Sequence, residues 1–215
     1  MKSLILKDFY NIGHNVKSML FILAVLAVSF ISASNVSGYI FISAGLCGAM
    51  IITTFSFDDT SGWMRYALTM PISRSELVAA KFAALAVFCT VGSLFGLAGS
   101  LIGGSLTGKI ALTPAGIGEL LFLTLAAWEI SLVFGSMSIP LVLKYGSEKG
   151  RLLLFVSFLV PSAICFGIYR LLLLLGEELA HRLLSLLLCC SPVIVLLWCY
   201  GMYRISYRIF AKREL

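Results

Sequence analysis

Long apolar runs alternate with short polar breaks along this chain. Runs of spanning length, ~20 residues at a rise of ~1.5 Å each, fall at about 16–35, 37–57, 78–103, 116–143, 152–174 and 183–203. One break is long: residues 58–81, DDTSGWMRYALTMPISRSELVAAK. Within it Trp63, Tyr66, Ala67 and Met70 recur at i, i+3, i+4 and i+7, the spacing of one helix face. Asp58, Asp59, Thr60 and Ser61 supply N-cap candidates ahead of that face. Pro71 cannot continue a helix, because it lacks an N–H and clashes with the preceding turn. The pattern therefore predicts a short amphipathic helix over 59–70. Ser73 and Glu76 stand at capping-box spacing, so a new helix starts there and enters the third apolar run from Leu77. On pattern alone the 59–70 helix fits two roles. It is a lever that a soluble partner grips through Trp63, Tyr66 and Met70, or an interfacial helix anchored on lipid headgroups by its aromatic rings.

The remaining pattern fills in around that break. Residues 2–17 predict an amphipathic helix on the inner membrane surface, with Ile5, Phe9, Ile12 and Val16 on one face and Lys7, Asn11, His14 and Lys17 off it. A signal-peptide reading is disfavoured, because the polar start is long and five more apolar runs follow. Asn35 to Gly38 join the first two runs as a tight hairpin. Gly92, Gly96, Ser100 and Gly104 form a ladder of small residues four apart, with Gly99 and Gly103 as a second pair. Such a ladder is a helix-packing interface, either inside the chain or toward a second subunit along a translocation path. Pro140 and Pro161 predict kinks. Residues 171–188 are Leu-rich with one polar break, a candidate for re-entry from the outer face.

Composition narrows the class. At 60% hydrophobic and 12% charged residues, with mean hydropathy +1.03, the chain reads as an all-α polytopic membrane protein. It forms one transmembrane domain over 1–215, with no soluble catalytic domain. Six spans with both termini inside leave only Lys109, Arg170 and Arg182 outside, of the 16 lysines and arginines. That bias sets the orientation and accounts for the net charge of +6 without nucleic acid. The six cysteines all lie in apolar runs without metal-ligand spacing.

Three polar features carry candidate chemistry. Gly103 to Lys109 imitates a P-loop, but Ile110 stands where Ser or Thr must hold magnesium and no strand precedes it. Glu177-Glu178-Leu179-Ala180-His181-Arg182 has the spacing of a glutamate-based intramembrane protease, yet the chain's other histidine, His14, lies at the opposite end. Glu129 lies 15 residues before Lys144, about 22 Å inside the inner edge. A carboxylate at that depth costs roughly 2.5–3.5 kcal/mol even on the lenient insertion scale, so it is protonated, paired or wet. It is a translocation-path candidate, or a protonated side chain bonded to a neighbouring helix.

The string from Trp63 to Val78, followed by Lys81, resembles the first cytoplasmic loop of the membrane subunits of type-2 ATP-binding-cassette (ABC) exporters. The resemblance is to the branch that includes phenol-soluble modulin exporters. Lys144 to Arg151 resembles the second cytoplasmic loop of that family and Leu6 to Asn11 its N-terminal segment. The resemblance implies a non-catalytic permease in the bacterial plasma membrane. It implies two copies of a separate ATPase, which carry ATP and Mg, a second permease of the same or a related kind, and an amphipathic or antimicrobial peptide as substrate. It makes 59–70 a coupling helix. The candidate coupling residues are Trp63, Arg65, Tyr66 and Met70, with Arg74 and Glu76 fixing the junction to span three. The competing expectation is a self-contained channel or secondary transporter with Glu129 as its ion or proton site.

Overall fold

The computed structural model describes residues 2–212 apart from His14, Ser34, Leu68, Pro71, Thr107, 109–113 and 175–176. The described residues form eight helices and no strand. They are α1 (Lys2–Gly13), α2 (Val16–Ser32), α3 (Val36–Thr60), α4 (Trp63–Ala67), α5 (Arg74–Leu106), α6 (Pro114–Tyr145), α7 (Ser147–Leu174) and α8 (Glu177–Ala211). Among the described residues four segments are long and apolar enough to cross a membrane: Ser37–Thr60, Arg74–Leu106, Gly116–Tyr145 and Cys190–Ala211. Two of the six expected spans, in α2 and α7, are not among these four. α2 follows α1 across a bend of 67°, and α7 runs 28 residues, with Phe155–Ile164 as the apolar stretch among its described side chains. α6, α7 and α8 each continue through an internal proline, Pro140, Pro161 and Pro192. The suggested re-entry of 171–188 and the glutamate–arginine motif at 177–182 lie outside the described side chains, as does His14.

α3 and α5 form the centre, and α6 packs across both. The small-residue ladder explains how closely they approach. A methyl group on Gly92 would stand 2.5 Å from Cys47 Cβ, and one on Gly96 would stand 2.9 Å from Ile40 Cα. Ser100 and Gly104 continue the same buried edge of α5. At Gly92 and Gly96 the ladder is therefore filled by α3 of the same chain. Buried hydroxyl groups staple the seam. Ser43 Oγ donates to the Gly92 carbonyl at 2.7 Å, and Ser131 Oγ donates to the Ala44 carbonyl at 2.8 Å. The motif resembling a P-loop begins as the last turn of α5, where Gly103 faces Ile31.

Helix ends follow local chemistry. Asn35 caps α3 by accepting the Gly38 N–H at 2.9 Å. At its other end α3 runs three residues further than the polar pattern suggested. Thr60 and Ser61 turn their hydroxyls back to the carbonyls of Ser56 and Phe57, and Gly62 at φ 64° stops the helix. Asp58 to Ser61 thus finish α3 instead of capping the next helix. The expected 59–70 helix is only the five residues of α4. Beyond it the chain makes tight turns, with the Met70 N–H on the Ala67 carbonyl at 3.2 Å. Pro71, the expected stop, lies outside the described residues. The capping box forms as expected: the Ser73 N–H donates to Glu76 Oε2 at 2.9 Å, and the Glu76 N–H donates to Ser73 Oγ at 3.2 Å.

Candidate functional site: a buried ion cluster beneath α4

The ends of α1, α3, α5 and α8 meet beneath α4, and charge is buried there. Lys81 lies two turns into α5 and is 6% exposed. Its ammonium donates to Asp8 Oδ1 of α1 at 2.8 Å and to Thr54 Oγ1 of α3 at 3.1 Å. It also pairs with Asp58 Oδ2 of α3 at 2.7 Å and stands 4.8 Å from the Phe55 ring centroid. Asp8 and Asp58 are each 1% exposed. Lys7 closes the cluster, pairing with Asp58 Oδ1 and lying 3.5 Å from Asp8. Two cations and two carboxylates give no net charge. Each buried carboxylate has a cation, which offsets the cost of removing it from water.

The cluster is tied to α4 through one aromatic face. The Lys7 ammonium stands 4.6 Å over the Trp63 ring, and the Trp63 and Tyr66 rings are 5.7 Å apart. The predicted stripe divides between two directions. Ala67 is fully buried, and Trp63 and Met64 pack against the main core, whereas Tyr66 is 58% exposed. Met70 is half-buried, and the side chain of Arg65 lies outside the described ones. Trp63 therefore faces the chain's own interior more than the predicted grip surface requires.

Arg74 and Glu76 flank the cluster with separate tasks. Glu76 closes the capping box of α5. Arg74 donates to the Phe210 and Ala211 carbonyls at 3.2 and 2.7 Å, so it satisfies the orphan carbonyls at the end of α8. Asp59, next to the cluster, accepts the Ser147 N–H at 2.9 Å and so caps α7. Tyr145, Gly146 at φ 83°, and Ser147 make the whole α6–α7 junction. A groove of about 580 Å³ opens there, lined by Ser56, Asp59, Thr60, Tyr145, Ser147 and Lys149.

The N-terminal helix departs from its expected role. Leu4 and Ile12 are buried and Phe9 meets Phe88 of α5 at 5.2 Å, so its apolar face covers the protein core instead of lipid. Leu6 and Tyr10 are its exposed large apolar residues. The pattern of α1 concealed this, because Asp8 sits on the apolar side and looks like an interruption. An acid at that position, a basic residue one turn inside a span and an acid at the end of the preceding span were the available signal.

Glu129 lies far from this cluster, on α6. It is 7% exposed, and its Oε1 is enclosed without a hydrogen-bond partner among the described residues.

The family model described as ABC-2 family transporter protein matches residues 3–211. No curated protein matches the chain.

Proposed function

The chain belongs to the ABC-2 family of transporter proteins, and from that premise we propose that it is a six-span exporter permease driven through α4. Membership makes it a membrane subunit of an ABC transporter and implies an ABC ATPase partner; in this reading hydrolysis lies on that partner. In the proposed arrangement α2 and α7 complete the set of spans, and both termini and α4 lie in the cytoplasm. Two ATPase subunits clamp this permease and a second one, and an amphipathic or antimicrobial peptide passes between them. Trp63, Arg65, Tyr66 and Met70 make the contact. Arg74 and Glu76 position the start of α5.

The observation that carries the reading is the ion cluster. It fastens α1, α3 and α5 together directly beneath α4, so a push on α4 moves two spanning helices as one body. Exposed Tyr66 offers the outer grip, while Trp63, under the Lys7 ammonium, passes force inward. Co-expression with a candidate ABC ATPase from the same genome tests the reading. The ATPase is expected to co-purify in near-equal amount, and Trp63→Ala with Tyr66→Ala to release it while the permease still inserts. Absence of any ATPase from the complex prepared in intact membranes would overturn it.

A second reading is a self-contained channel or secondary transporter using Glu129 as an ion or proton site. Its one support is the enclosed, unpartnered Glu129 oxygen. It predicts flux without ATP.

A further inference from the structure

Glu129 has no part in the coupling scheme, yet its placement needs a partner. It lies 16 residues before the end of α6 at Tyr145, about 24 Å from the end that carries α4. At that depth a carboxyl group with an unmet oxygen is unfavourable, and a donor or a cation would relieve it.

The face of α6 that holds Glu129 shows what such a partner looks like. Leu125, Phe122 and Leu121 precede it by four, seven and eight residues, so all share one side of the helix. They are 48%, 54% and 54% exposed. Beyond Glu129 the same side closes: Leu132 and Ser136 are buried, and the Ser136 hydroxyl donates to the Val133 carbonyl at 2.9 Å. Glu129 therefore stands where an open apolar stripe meets the packed helices. Lys7, Arg74, Lys81 and Lys144 cluster near α4, and Arg170 lies in the last turns of α7. Among the described residues no lysine or arginine forms an ion pair with Glu129.

We propose that this stripe and Glu129 form a subsite for an amphipathic cation. The apolar body lies on Leu121, Phe122 and Leu125, and the cationic group meets the Glu129 carboxylate. Lipid tails match the stripe but bring no donor to the carboxylate. The proposal rests on the permease reading for its role in transport, but binding itself needs no ATPase.

The test is binding to the full-length chain in nanodiscs of neutral phosphatidylcholine, with empty discs as the blank. The probes are a fluorescent helical peptide with leucine and lysine faces and its counterpart with glutamine for lysine. The cationic peptide is expected to bind about tenfold or more tightly than the neutral one, the worth of a hydrogen bond to a charged group. Glu129→Gln is expected to abolish that preference, and Leu125→Ala to weaken both peptides equally. Glu129→Gln keeps the side-chain shape, and an unchanged size-exclusion profile establishes that it folds. Equal affinities for the two peptides in the parent chain, or a preference that survives Glu129→Gln, would overturn the proposal. So would a disulfide between two copies through Leu125→Cys, since it would put a second copy on the stripe. Loss of ATPase co-purification with this preference intact would sink the exporter reading alone.

Discussion

Lys81→Met removes the cation on which the buried cluster is centred. Asp8 and Asp58, each 1% exposed, would then face each other with Lys7 as the only nearby cation among the described residues. Deleting one partner of a buried ion pair costs ~3–5 kcal/mol, because the remaining charge is stranded. Lys7 is 21% exposed and still reaches Asp58, which argues for the low end, ~3 kcal/mol. At ~1.4 kcal/mol per decade that raises local opening by about 100-fold. The opening is expected in α1, which the cluster holds to α3 and α5. Hydrogen exchange of residues 2–13 in nanodiscs measures it directly. The compound variant Lys81→Met with Asp8→Asn and Asp58→Asn supplies the discriminating arm. With no stranded carboxylate it should recover most of the protection, since neutral replacements of similar shape are often tolerated. If Lys81→Met leaves α1 exchange unchanged, or the compound variant is no better than the single one, the cluster is not what holds α1.

Two further perturbations test the packing and the junction. Gly92→Ala places a methyl group against Cys47 Cβ and the Ser43 carbonyl and is expected to destabilise by ~1–3 kcal/mol. Gly45→Ala, in open space, should be neutral or slightly stabilising in thermal melts in detergent. Asp59→Ala uncaps α7 and should cost ~1 kcal/mol, read as faster exchange in the first turn of α7 while α3 is unchanged.

The sequence alone determined the class of molecule. Apolar runs of spanning length can satisfy their backbone only as helices, so residues such as those of 78–103 and 116–143 had one available structure. The capping box at Ser73 and Glu76 was equally legible, because both partners lie within one turn. The Gly92–Gly104 ladder announced a close helix contact, but the α3 residues that fill it became visible only in the packed structure. Local pattern misplaced the start of α4. A run of Asp, Thr and Ser serves a helix end as readily as a helix start, and Gly62 decided between them. Tertiary structure alone decided the ion cluster. Lys81 and Asp8 lie 73 positions apart and Lys7 and Asp58 lie 51 apart. Their meeting depends on α1 folding its apolar face onto α5, which no local spacing encodes. The same long-range packing turned Trp63 inward and left Glu129 enclosed, since burial is a property of the neighbours a side chain acquires.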